Sequence, residues 1–322
     1  MFTKCIARSL MVLACFFALT ACDDKSAEKA QQEQAQKAPE QSEVEKYNEY
    51  VRAANMATVS FAQDLEQYQK NIQPVFDGKK RNKNLFYSNP IGISRVQEQL
   101  DKARAMKPAM AELDESARVY SEALAKADPL SRDVYNYISA KTYLSDEGAH
   151  GREIQPAYLD AMQKLVVAQA DFLNGIDAKD RARIKAEFES SEKGSIDHYR
   201  IGMVYYLKES MDAADGVYDG TGLGDKKEAF RNALNQFNSM VTAYDGKVRE
   251  RNKTGCSSLQ MTANSYLSTG REIIERTEDG TYEKEAKKPK QFRLMEPQQK
   301  RDASSLLQHY NNMINELNVN RC

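Results

Sequence analysis

Gly148-x-His150-x-x-Glu153 sets an imidazole and a carboxylate three residues apart. On a helix that spacing shares a face, and the pair could ligate one cation. Glu147-x-x-His150 is also half of the paired Glu-x-x-His signature of di-metal helical bundles, but the chain has no second copy. The two glycines of EGAHGRE read as a loop or a fraying helix start, and the chain holds only 3 histidines. An exposed histidine at a helix N-terminus is the plainer reading of His150. Read as a calcium loop from Asp215, the segment DGVYDGTGLGDK puts Gly220 at the sixth position. Its twelfth position is Lys226 where glutamate is needed, so it reads as a connector between helices. No Ser–His–Asp or Cys–His arrangement emerges.

The cysteines carry a different chemistry. Lys4 and Arg8 precede an apolar run from Leu10 to Leu19, too short to cross a bilayer core of ~30 Å. Leu19-Thr20-Ala21-Cys22 then resembles a bacterial lipobox, in which the cysteine thiol takes a diacylglyceryl group. The signal is cut before that cysteine and the new amino group is acylated, palmitate being a typical chain. The expectation is a signal peptide over 1–21 and a lipid-bearing Cys22 as the membrane contact. Two or more acyl chains at ~0.8 kcal/mol per buried methylene anchor stably. Asp23 and Asp24 resemble the sorting signal that retains such proteins at the inner membrane, which favours the periplasmic face of that membrane over the outer one. No other cofactor is expected.

Residues 22–42 hold no Leu, Ile, Val, Phe or Tyr and read as a disordered tether. As a coil it would span about 25 Å; the alternative is a helix ended by Pro39. The 322 residues carry 46 basic and 47 acidic groups. Losing Lys4 and Arg8 with the signal takes the net charge from -1 to -3. That balance gives no footprint for nucleic acid. Basic clusters at Lys79, Lys80, Arg81 and Lys83, and at Lys287, Lys288, Lys290 and Arg293, fall in expected loops; they could touch anionic lipid or cell-wall polymer, but a solvated role is usual.

From Glu43 to the end, apolar residues recur at steps of three and four, as in Tyr47, Tyr50, Ala54, Thr58, Phe61, Leu65 and Tyr68. Sustained period-two alternation is absent. The expected fold is all-α, about eight helices in antiparallel bundle packing over 43–322. Pro108 should kink one helix running from Val96 to Leu124. Asp225 and Glu228 should form a capping box, and Gln169 interrupts a stripe where an apolar residue was due. Once the signal is removed and Cys22 acylated, Cys256 and Cys322 remain in an oxidising compartment. Cys256 opens one expected helix and Cys322 follows the last, so a hairpin would bring them together with Cα atoms about 5–6 Å apart.

Two resemblances follow from these residues. Gly148-x-His150-x-x-Glu153 fits the motif of imelysin-like periplasmic proteins, which implies an alternative metal-binding or peptidase-like role for His150 and Glu153. Across a wider span, Lys141-x-Tyr143-x-x-Asp146, Gly151-Arg152-Glu153 and Ala161-Met162 resemble the YiiG-like bacterial lipoproteins, as do YNEYV and YNNMINELN. Their shared domain has no known function. This resemblance implies a helical periplasmic domain on a lipid anchor and transfers no catalytic residue. The leading expectation is a membrane-anchored, non-catalytic module that binds an envelope protein or a cell-wall component.

Overall fold

The computed structural model describes residues 27–56, 60–88, 90–220, 222–287, 296–319 and 322. The signal peptide and Cys22, Asp23 and Asp24 lie outside them. Among the described residues no strand occurs. The helices are α1 (Ala27–Met56), α2 (Phe61–Gln67), α3 (Gln73–Phe76), α4 (Ile91–Ala105), α5 (Ala111–Ser139) and α6 (Ala149–Ser190). There follow α7 (Ile196–Ala213), α8 (Asp215–Asp219), α9 (Lys227–Arg251), α10 (Ser257–Glu278), α11 (Thr281–Ala286) and α12 (Gln298–Val319). Eight of them, α1, α4, α5, α6, α7, α9, α10 and α12, have 15 residues or more. The all-α bundle class expected from the periodicity is the class observed.

Where the sequence suggests one helical body, the chain forms two compact units, divided inside α6 between Ala178 and Lys179. In the first unit α1 packs on α4 and α4 on α5. Its core is rich in tyrosine: Tyr50, Tyr68, Tyr120 and Tyr158 are fully buried. Their rings meet Phe172 and Phe76 edge-on or tilted, and Tyr68 tilts on Tyr158 at 4.5 Å. Such contacts add about 0.5–1.5 kcal/mol each beyond area burial. In the second unit α7 packs on α9, and α10 on both α9 and α12. Phe230, Phe237, Tyr266, Leu306 and Met313 fill that core.

Several local expectations need correction. The 22–42 segment was expected as a coil, yet α1 opens at Ala27 and continues through Pro39. Alanine, glutamine, glutamate and lysine are strong helix formers, so propensity favours a helix even without apolar residues. Pro108 ends a helix instead of kinking it: α4 stops at Ala105 and α5 starts at Ala111. Proline lacks the N–H and restricts the residue before it. The Asp114 carboxylate accepts from the Met110 N–H at 2.9 Å at the start of α5. Asp225 caps nothing among the described residues, because it lies inside a 3₁₀ turn (Gly224–Lys226) and α9 begins at Lys227, directly after that turn, with no side-chain cap. Gln169, the interruption in the stripe, is buried and its carbonyl accepts from the Phe61 N–H at 3.1 Å. It satisfies an otherwise unpaired donor at the first turn of α2.

Candidate functional site

The motif-bearing stretch Tyr137–Met162 forms the corner between α5 and α6, and most of its residues hold that corner together. After α5, Lys141 takes a left-handed conformation, and a 3₁₀ turn (Thr142–Leu144) follows. Tyr143 is buried; its hydroxyl donates to the Lys83 carbonyl at 2.9 Å and accepts from the Leu85 N–H at 3.2 Å. Asp146 receives the Tyr137 hydroxyl at 2.6 Å and the N–H groups of Gly148 and His150. Burial alone would raise its carboxyl, but these hydrogen bonds outweigh it and hold the group below the usual carboxylate range. Asp146 thus serves the free N–H groups at the start of α6.

Gly151 stands where a Cβ would meet the Phe76 ring at 2.6 Å, so only glycine lets that ring lie against α6. Arg152 donates to the carbonyls of Phe76 and Glu147. Ala161 is buried, and the sulfur of buried Met162 accepts from Ser131 at 3.9 Å. The local pattern of Tyr137–Met162 therefore encodes a corner, its caps and its close packing.

His150 sits on the first turn of α6 with 39% of its side chain exposed. Nε2 lies 3.0 Å from Asp133 Oδ1, and Nδ1 lies 3.6 Å from Glu153 Oε2. The two carboxylates face opposite ring nitrogens. A cation bound to one nitrogen points away from the other, so His150 cannot bring both acids onto one ion. Among the described residues no group of three His, Cys, Asp or Glu side chains is arranged to hold a metal ion.

The hydrogen bond to Asp133, above all, raises the His150 pKa from its ordinary value, with Glu153 adding to it. A histidine raised in the folded state stabilises fully below its unfolded pKa of ~6.5, and that contribution fades as pH rises through the folded value. In a ring-proton NMR titration His150 should titrate above ~6.5 and fall back towards it in Asp133→Asn. An unmoved midpoint in that variant would remove Asp133 as the cause.

Cys256 and Cys322 are joined, with Cα atoms 5.5 Å apart. Cys256 stands at the head of α10, where its N–H donates to Asp245 Oδ1 at 2.8 Å. The glycine-rich segment after α8 leads into the turn before α9 and acts as the expected connector. Lys79, Lys80, Arg81 and Lys83 are exposed in the loop after α3, as is Lys287 after α11; Lys288, Lys290 and Arg293 lie outside the described residues.

Three features escaped the sequence reading. Two lysines are buried in ion pairs: Lys46 with Asp114 at 2.7 Å, and Lys208 with Asp180 at 2.7 Å. A lysine within an amphipathic stripe carries no mark that it will turn inward. Ser191 pairs with His198 Nδ1 at 2.8 Å, but its hydroxyl donates to the Phe188 carbonyl at 2.8 Å. That leaves it an acceptor towards the imidazole, opposite to what a nucleophilic serine needs. Lastly, Ser257, Gln260, Met261, Asn264, Ser268 and His309 line a cleft of about 650 Å³ beside α10. It offers hydrogen bonds and one imidazole, His309, but its lining has no carboxylate, lysine or arginine to pair with that ring.

Residues 41–319 match the model of a family described as "Protein of unknown function (DUF3829)". No curated protein and no solved structure matches the chain.

Proposed function

We propose that this chain, which belongs to the DUF3829 family, is a lipoprotein of the bacterial envelope that works as a non-catalytic binding module. Its attachment is the acylated Cys22, and Asp23 and Asp24 favour the periplasmic face of the inner membrane. The observation that carries the placement is the Cys256–Cys322 bridge, because such bonds persist in oxidising compartments outside the cytosol. It agrees with the lipobox and with the likeness to the YiiG-like lipoproteins. The non-catalytic reading rests on how the motif residues are used. Tyr143, Asp146, Gly151 and Arg152 are engaged in caps and packing, and His150 is bonded to Asp133 with Glu153 on its other side. That leaves the surface to act.

Metabolic labelling with palmitate tests the anchor. Label should enter the wild-type protein in the inner-membrane fraction and be lost in Cys22→Ser. A Cys22→Ser form still fully labelled and membrane-bound would defeat the proposal. Crosslinking in intact membranes tests the binding role: a discrete adduct is expected, and consistently bare protein would count against it.

A further inference from the structure

The loop between α3 and α4 combines two features that rarely share a rigid surface. Lys79, Lys80, Arg81 and Lys83 lie within five positions, all exposed. Lys79 pairs with Asp77 at 2.9 Å, whereas Lys80, Arg81 and Lys83 have no ion-pair partner among the described residues. Three residues on, Phe86 is 82% exposed, more than the other large hydrophobic side chains that remain exposed, such as Met261 at 69%. The chain as a whole is close to neutral, so this positive charge is local.

The loop is held in place. The N–H groups of Lys79 and Lys80 both donate to the Pro74 carbonyl at 2.9 Å. Asn82 accepts from the Asn84 N–H at 2.9 Å. Tyr143 then grips the chain on either side of Asn84, at the Lys83 carbonyl and the Leu85 N–H. Beyond Phe86, the Tyr87 hydroxyl meets that of buried Tyr158 at 2.7 Å. Leu85 and Tyr87 pack against the core, so the ring between them is presented outward. Leu144, which follows Tyr143, is 49% exposed, and Lys141 two residues before Tyr143 is exposed as well.

An aromatic ring held in water beside unpaired cations is complementary to one kind of surface, an anionic leaflet. There the cations meet headgroup charge and the ring enters the acyl boundary. We infer that residues 79–86 form a second, reversible membrane contact, docking on anionic phospholipid with Phe86 immersed. The inference rests on the proposed anchor at Cys22, which would keep the loop within reach of a leaflet. A soluble polyanion would satisfy the cations but would leave the ring in water.

The absence of tryptophan from the chain gives a clean test. Full chain carrying Phe86→Trp is reconstituted into vesicles of phosphatidylglycerol and phosphatidylcholine, and into vesicles of phosphatidylcholine alone. On the anionic vesicles emission should shift to the blue and be quenched by brominated lipid. On phosphatidylcholine alone, or at ~1 M salt where the Debye length falls to ~3 Å, both effects should fade. Each cation near an anionic surface strengthens docking about fivefold, so Lys80→Glu, Arg81→Glu and Lys83→Glu together should weaken it on the order of a hundredfold or more. Circular dichroism of that variant should stay helical. A Met261→Trp chain should remain water-exposed and unquenched.

Vesicle-bound protein whose Phe86→Trp emission stays that of exposed indole, or shifts without quenching, would overturn the docking. So would equal quenching at Met261→Trp. Protein that fails to associate with any vesicle would refute the anchor instead, which keeps the two failures apart.

Discussion

Asp180→Ala should destabilise the second unit by about 3 kcal/mol, the largest effect expected from one substitution at a buried charge. Asp180 on α6 is 0% exposed, and Lys208 on α7, 2.7 Å away, is 3% exposed. Arg183 also reaches Asp180, at 2.9 Å, but is one-third exposed and has Glu187 as a second partner. Truncating the aspartate therefore costs the buried lysine more than the partly exposed arginine. A buried ammonium that loses this carboxylate keeps its desolvation cost and forfeits the Coulombic return of that pair. The pair itself is a different matter: Asp180→Leu with Lys208→Met should recover most of the loss, because an apolar pair of similar volume avoids that cost. Urea unfolding followed by circular dichroism measures both. A single-variant loss below about 1 kcal/mol, or a double variant no better than the single, would contradict this account of the pair.

Removing the bridge should be comparable in size and different in kind. Cys256 and Cys322 are 66 residues apart in sequence. On the chain-entropy account, closing a loop of that length stabilises by about 4 kcal/mol, chiefly by restricting the unfolded chain. Cys322→Ser should therefore lower the unfolding midpoint while leaving the folded unit little changed. The head of α10 keeps its own support in that variant. The Cys256 N–H still donates to Asp245, which Arg249 holds at 2.6 Å. Burial alone would raise the Asp245 carboxyl, but those bonds outweigh it and keep it low. Arg200 likewise still donates to the Leu317 carbonyl at the end of α12, at 2.8 Å. Hydrogen exchange should report the loss in amides of 179–322 and spare those of the first unit. Equal loosening of both units, or no loss at all, would contradict the entropic reading.

These two predictions mark where the sequence is legible. The all-α class follows from apolar steps of three and four, and those stripes became the buried faces of α5, α9, α10 and α12. The cysteine pair was legible too, since the expected signal peptide and lipidation would take the other three and a helical hairpin then leaves one arrangement. Asp180–Lys208 was not. Charged residues on an amphipathic stripe look alike until the packing decides which of them turns inward, and nothing local distinguishes Lys208 from an exposed lysine. Around Pro108 the apolar stripe continues in phase on both sides, which suggests a kink, but phase carries no information about a break in hydrogen bonding. Gln169 shows the reverse case. A polar residue in an apolar register was visible as an anomaly, but its partner, the Phe61 N–H, lies 108 residues away.

The candidate site was partly legible. His150 and Glu153 do come together, as their spacing implies, but Asp133 on α5 takes the opposite ring nitrogen. That third group turns a would-be ligand pair into a charge-stabilised corner, and no local motif encodes it. The basic loop was visible as a cluster of lysines and arginine. What it lacked in sequence was the exposure of Phe86, which depends on Tyr143 and Tyr158 fixing the chain on either side.

We propose that this helical body hangs from a lipid at Cys22 and acts through its surface. The most direct measurement is the mass of the N-terminal peptide of the mature protein extracted from membranes. This peptide should begin at Cys22 and carry a thioether-linked diacylglyceryl group and an amide-linked acyl chain. A mature chain that begins elsewhere, or a Cys22 with a free thiol, would contradict it.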